Sequence, residues 1–157
     1  MRAFLGLGSN LAHPEDQISS AIQALKAAPV VCVIQCSRFY ASAPMGPQDQ
    51  PDYINAVVEI ETELEPLALL DFCQSIELTH HRKRQSHWAA RTLDIDILSI
   101  DALIMNHERL VLPHNGIVYR DFVVLPWQEI APNYVIPNLG CVKDIVLEST
   151  FSAHPLS

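Results

Sequence analysis

Long apolar runs are missing from this chain: its 157 residues never supply the roughly 20 consecutive apolar side chains that cross a bilayer. The opening stretch, Met1-Arg2-Ala3-Phe4-Leu5, runs into a glycine-rich turn and has no secretory-leader core or cleavage site. A cytoplasmic protein without a membrane partner is therefore expected. Basic charge is scarce too. The formal net charge is −8, which argues against broad nucleic-acid binding, and the aromatic RNP pattern of sheet-based RNA binders is missing. Four cysteines, Cys32, Cys36, Cys73 and Cys141, lack zinc-type pairing. Buried reduced thiols are expected, with Cys32 and Cys36 on one face of a strand. Gly6-Leu7-Gly8 begins like a dinucleotide loop, but Leu11 stands at the third glycine position, and there is no Walker A sequence. No Ser/His/Asp or Cys/His arrangement can be argued from spacing.

What is present fits one domain over residues 1–157. The hydrophobic fraction is 49%, which excludes a disordered or fibrous chain. No repeat, low-complexity stretch or linker divides it. The cations are unevenly placed. No Lys or Arg occurs between Arg38 and Arg82, whereas Arg82, Lys83, Arg84, Arg91, Arg109 and Arg120 follow. An acidic protein with one basic segment suggests a local site for a small anion.

Arg2 to Leu7 reads as a strand ended by a tight Gly6–Gly8 exit. Pro14, Glu15 and Asp16 open a helix whose Ile18, Ala21, Ile22, Leu25 and Ala28 share a face until Pro29. Val30 to Tyr40 is β-rich, and Ser42 to Asp52 is irregular. Tyr53 to Leu64 alternates, with Val58, Ile60, Thr62 and Leu64 on one face. Glu59, Glu61, Glu63 and Glu65 take the other, expected to be solvated. Pro66 opens a second helix to about His80, with Leu67, Leu70, Cys73 and Ile76 inward. A polar basic loop, His81 to Ala90, leads to a strand over Leu93–Ile100 and a β excursion through Leu112. A helix follows within Arg120–Ala131, then an irregular tail with a short helix around Val142–Glu148. The order β-α-β-β-α-β predicts an α+β, ferredoxin-like core with additional C-terminal β and helical elements.

The sharpest chemical signal is Leu93-Asp94-Ile95-Asp96-Ile97. Strand alternation puts Leu93, Ile95 and Ile97 on the core side and both aspartates on the other. Carboxylates two residues apart on a strand are about 6–7 Å apart, a spacing that suits one or two Mg²⁺ ions also holding phosphate oxygens. Taken alone, the pair reads slightly better as exposed acids discouraging edge pairing. Arg82, Lys83, Arg84 and Arg91, with Trp88 among them, tip the balance, because cations beside carboxylates suit a metal–polyphosphate site. An indole in so polar a loop can pack on a planar ligand. His114, after Pro113, can donate to a phosphate or cap a loop.

Together these segments resemble the 6-hydroxymethyl-7,8-dihydropterin pyrophosphokinase family. The likeness runs from Gly8-Ser9-Asn10 to Glu129-Ile130-Ala131-Pro132. It includes Ser42-Ala43-Pro44-Met45-Gly46-Pro47, Tyr53-Ile54-Asn55-Ala56, Ile76-Glu77, Arg91-Thr92-Leu93-Asp94-Ile95-Asp96, Pro113-His114 and Arg120-Asp121-Phe122. The resemblance implies transfer of a pyrophosphoryl group from ATP to a pterin alcohol in folate biosynthesis, by a monomer whose partners are these two small molecules. Asp94 and Asp96 would hold two Mg²⁺ ions, and Arg82 and Arg91 would join them in catalysis. Tyr53 and Phe122 would sandwich the pterin, with Ser42, Ala43, Met45 and Asn55 at its polar edge and Trp88 nearby. Gln74, Glu77, Arg84, Trp88, Arg91, Ile97, Arg109, His114 and Arg120 match nucleotide- or phosphate-contacting positions. A divergent paralogue acting on another heterocyclic alcohol, or a non-catalytic binding module, is the alternative. The chain departs from the family at His87, Ala89 and Ala90, where Arg-Trp-Gly-Pro-Arg is usual around Trp88, and at Val111 and Asn115. These departures bear on rate and ATP affinity more than on reaction type.

Overall fold

The computed structural model describes residues 1–11, 13–44, 50–81 and 93–156. Its first strand, β1 (Arg2–Ser9), is followed by α1 (Pro14–Ala27), β2 (Val31–Cys36), β3 (Tyr40–Ser42), β4 (Tyr53–Thr62), α2 (Pro66–His81) and β5 (Asp94–Ile100). Beyond these lie two short pairs, β6 (Met105–Asn106) with β7 (Val111–Leu112), and β8 (Val135–Ile136) with β9 (Gly140–Cys141). Helix α3 (Asp121–Ile130) precedes the second pair, and β10 (His154–Pro155) ends the series.

The main sheet has six strands, ordered β10-β3-β4-β1-β5, with β2 also pairing with β4. Every recorded pairing in it is antiparallel. The fold is thus mixed helix and sheet, as the periodicities indicate. Strand β1 sits between β4 and β5, and its alternation feeds two cores. Leu5 and Leu7 join Ile18, Ile22 and Leu25 of α1 and Leu69 and Cys73 of α2. Phe4 on the other face joins Leu98, Val124, Trp127 and Tyr134. There Phe4 lies 5.2 Å from Trp127 and 4.6 Å from Tyr134, centroid to centroid. Such aromatic pairs add about 0.5–1.5 kcal/mol each beyond the area they bury.

Four expectations need correction. Strand β1 does not exit at its glycines but continues through Ser9, because Gly6 and Gly8 both pair with β4 and β5. Cys32 and Cys36 do not behave as one face. The register of β2 on β4 shifts between Val33 and Gln35, so Cys32 meets Glu61 and Cys36 meets Val58. Cys32 is consequently exposed, Cys36 and Cys141 are half-buried, and of the four free thiols Cys73 alone is buried. Glu59 is not solvated. It is 6% exposed and accepts from Arg2 Nε and Gln35 Nε2, each at 2.8 Å. The tail is not simply irregular either. A β8–β9 hairpin turns through Asn138 (φ 66°) and Gly140 (φ 91°), residue types that tolerate left-handed backbone. The expected helix near Val142 is a single 3₁₀ turn, Val142–Asp144.

Burial, with the negative charges of Glu77 and Asp96 adding to it, pushes the Cys73 thiol up to about 12. Thiolate is the reactive form. Native protein alkylated at pH 8 should therefore keep Cys73 unmodified while exposed Cys32 reacts, as read by peptide mass mapping. Modification of Cys73 as fast as Cys32 would contradict this core assignment.

Candidate active site

The core built on Phe4 stops short of the C-terminal end of β1, and a cavity opens there on the same face. Gly8 lies opposite Asn55 on β4 and Asp94 on β5, while Gly6 lies opposite Val57 and Asp96. The glycines leave the sheet floor bare of side chains, and the neighbouring strands supply carboxylates and an amide around it. The cavity, about 280 Å³, is lined by Ser42, Ala43, Tyr53, Asn55, Asp94, Asp96, Arg120 and Phe122 among others. All eight are candidates singled out from the sequence. Residues that sequence reasoning missed are Gly6, Leu7, Gly8, Ala56 and Val123. For the glycines, the signal lies in their period-2 spacing inside a strand.

Asn55 is 3% exposed, a costly place for an amide unless it is bonded. Its Nδ2 donates to Ser42 Oγ at 2.9 Å and to the Tyr40 carbonyl at 3.4 Å. The amide is thereby held in one orientation between β3 and β4. Tyr53 precedes it by two residues on β4. Burial raises the Tyr53 phenol above its ordinary range, and the charge of Asp94 raises it further.

A second cavity, about 260 Å³, lies beyond β5 and is lined by Leu70, Ile95, Asp96, Ile97, Arg109, His114 and neighbours. Asp96 lines both cavities. Its Oδ2 accepts from Arg120 Nη1 at 3.3 Å, with both side chains partly exposed. Gly116 permits the approach of the local cation and ring: a Cβ there would stand 3.0 Å from Arg120 Nε and 3.2 Å from His114 Cε1. His114 Nδ1 accepts the Gly116 amide at 3.0 Å. In the neutral ring the proton is then on Nε2, which becomes a donor. Burial lowers the His114 pKa, with Asp96 opposing and Arg120 assisting.

Arg109 pairs with Asp71 and donates to Gln74 Oε1 at 3.3 Å, so these two nucleotide candidates sit together beside α2. Glu77 is placed differently. It is buried, and its Oε2 accepts the amide of Ile95, between the two aspartates, at 2.8 Å. There it caps the outer edge of β5 and lines neither cavity. Met45, Arg82, Arg84, Trp88 and Arg91 lie outside the described residues.

Asp94 and Asp96 give an oxygen-only donor set on one strand face. Among the described residues no group of three or more His, Cys, Asp or Glu could hold a metal. An oxygen-only carboxylate pair is the donor type that magnesium takes, with water and phosphate oxygens completing its shell.

A family model for 7,8-dihydro-6-hydroxymethylpterin-pyrophosphokinase (HPPK) matches residues 4–132. The chain belongs to this family. It is 44% identical over 154 residues to a 2-amino-4-hydroxy-6-hydroxymethyldihydropteridine pyrophosphokinase of Haemophilus influenzae, covering 98% of this chain and 95% of that one. It is 41% identical to the protein of that name from Pseudomonas aeruginosa, covering 87% of this chain and 85% of that one. Its fold matches a variant of Plasmodium falciparum HPPK-DHPS solved with STZ-DHP, at a TM-score of 0.70 and 14% identity. That match covers 92% of this chain and spans 44% of the longer Plasmodium chain. No helix among the described residues of this family member is long and apolar enough to cross a membrane.

The electrostatic link between Tyr53 and Asp94 can be measured without a ligand. Asp94→Asn removes a charge that opposes phenolate formation, so the Tyr53 pKa should fall. It should remain above that of a free phenol, because burial is the larger cause. Ultraviolet or NMR titration reads the change, and an unmoved Tyr53 would contradict the proximity.

Proposed function

We infer that this chain is an ATP-dependent diphosphotransferase, moving a pyrophosphoryl group from ATP to the hydroxymethyl group of 6-hydroxymethyl-7,8-dihydropterin, with release of AMP, in folate biosynthesis. One observation carries the geometric side of this reading: Asp96 belongs to both cavities. A group leaving a nucleotide in the outer cavity would meet an acceptor in the inner one at a single carboxylate. In the transfer, the pterin hydroxyl oxygen forms a bond to the β-phosphorus as the bond from that phosphorus to the α,β-bridging oxygen breaks. AMP carries that oxygen away, and the hydroxyl proton passes to solvent.

The inner cavity suits a flat heterocycle. Tyr53 and Phe122 supply aromatic faces, and the bonded Asn55–Ser42 pair presents a fixed polar edge. Ala43 belongs to the same wall, and Met45, which lies outside the described residues, is assigned to the pterin's polar edge by the resemblance alone. Arg109, His114 and Ile97 line the outer cavity, Gln74 bonds to Arg109, and Arg120 reaches the shared Asp96 from the inner cavity. These cations and an Nε2 donor suit phosphate oxygens. Glu77 supports this site through the Ile95 amide, and the contacts assigned to Arg82, Arg84, Trp88 and Arg91 complete the reading. Asp94 and Asp96 would hold magnesium, two ions in this proposal, which would neutralise phosphate charge when bound.

We read residues 1–157 as one pyrophosphokinase domain, because both hydrophobic clusters share one sheet. The β5-β1-β4-β2 order, with helices after β1 and β4, supports a ferredoxin-like core. A cytoplasmic monomer is the accompanying proposal.

Asp94→Asn and Asp96→Asn should each lower AMP and pterin diphosphate formation about a hundredfold or more while leaving the fold intact, as expected when charge at a phosphoryl site is removed. Mass spectrometry of the products, with circular dichroism as the fold control, checks this. Wild-type turnover that survives EDTA would overturn the metal assignment.

A further inference from the structure

The family model ends at residue 132, yet the last described residues of the chain, 148–156, reach the wall of the inner cavity. Asp121 is the pivot. It opens α3 next to Phe122, and it is only 3% exposed. A carboxylate at a helix N-terminus is favourably placed, but one buried to this extent needs donors. Its Oδ2 receives three from the tail: Thr150 Oγ1 at 3.0 Å, the Phe151 amide at 2.9 Å and the Ala153 amide at 3.1 Å. The segment approaching this turn is tied to the chain just before α3. Glu148 N donates to the Val118 carbonyl at 2.7 Å, and Ser149 Oγ donates to the Tyr119 carbonyl at 2.8 Å.

So held, the tail meets the pterin wall at two points. The Phe151 ring stands edge-on to Phe122, with centroids 5.7 Å apart and planes at 71°. The Phe151 carbonyl accepts the Ala43 amide at 2.8 Å. The chain then runs on as β10, pairing His154 with Ala41 and Pro155 with Tyr40, and Leu156 N donates to the Phe39 carbonyl. Without β10, β3 would be an edge strand on that side, and edge strands are free to shift or pair elsewhere. Strand β3 carries Ser42, which fixes Asn55.

We propose that the C-terminal tail, clamped by Asp121, is a positioning element for the pterin: Phe151 sets the orientation of Phe122, and its carbonyl with β10 fixes Ser42 and Ala43. Phe151 lines neither cavity, so it acts through its neighbours rather than on substrate. The inference rests on the proposed pterin site. It assigns nothing to the outer, nucleotide side, and that asymmetry makes it testable.

The test uses the full chain. Binding of 6-hydroxymethyl-7,8-dihydropterin and of a non-hydrolysable ATP analogue is titrated separately for wild type, Phe151→Ala and Phe151→Tyr. Phe151→Ala should raise the pterin Kd about two- to tenfold, the range for losing an edge-to-face partner, and leave the analogue Kd within about twofold. Phe151→Tyr, which keeps the ring, should restore pterin binding. An unchanged pterin Kd, or both constants rising together, would overturn the proposal. A ligand-free arm separates this inference from the proposed function. Hydrogen exchange at the Ala43 amide should quicken about tenfold or more in Asp121→Ala, with Leu5 in the central strand unaffected. Should that variant not fold, Thr150→Val at an exposed position is expected to change exchange in the same direction. Wild type that binds no pterin would overturn the proposed function, and the exchange arm would still decide the positioning: faster exchange upholds it, and unchanged exchange at Ala43 overturns it.

Discussion

The antiparallel register of β1 against β4 and β5 is the constraint on which the other features depend. Gly8 faces Asn55 on one side and Asp94 on the other, and Gly6 faces Val57 and Asp96. A one-residue slip along either neighbour would turn its side chains to the opposite face. The aspartates would then enter the core now filled by Ile95 and Ile97, and Asn55 would leave Ser42. Such a slip is opposed by the apolar residues further along the same strand. Phe4 packs with Trp127 and Tyr134 while Leu5 packs beneath the first two helices, so both faces of β1 pin its alignment. The energy that holds the site in place is thus mostly spent away from it.

That arrangement also explains how so many charges gather at one end of an acidic chain. Burying carboxylates is costly unless donors or cations meet them. The aspartates of β5 remain half-exposed, with Arg120 at Asp96 and an open cavity on either side of β5. Glu77 and Asp121 are buried: Glu77 Oε2 accepts the Ile95 amide, and Asp121 Oδ2 accepts two tail amides and the Thr150 hydroxyl. The first caps the free edge of β5 and the second anchors the tail. Among these four carboxylates, the buried pair holds backbone while the half-exposed pair lines the inner cavity.

Much of this was legible in the sequence because local periodicity decides it. The i, i+2 spacing of Asp94 and Asp96 put them on one strand face, and the helical spacing of Ile18, Ala21, Ile22 and Leu25 matched the buried side of α1. Features that depend on long-range covering were not legible. Alternation identified the acidic face of β4, but only the path of the later chain decides that Glu59 is covered while Glu61 is exposed. The register shift in β2 separated Cys32 from Cys36 because period-2 counting assumes unbroken pairing. Glu77 matched a nucleotide position by motif, yet its packing beside the Ile95 amide needed the helix–strand contact. The tail's contact with Phe122 and Ala43 has no local signal, since its partners are far away in sequence.

A crystal structure with 6-hydroxymethyl-7,8-dihydropterin, a non-hydrolysable ATP analogue and magnesium tests most directly whether this register builds one transfer site. The pterin should lie between Tyr53 and Phe122 with its polar edge at Asn55, the nucleotide should fill the cavity beside Arg109 and His114, and the metal should sit on Asp94 and Asp96. Pterin bound outside the cavity floored by Gly6 and Gly8, or metal held without either aspartate, would contradict it.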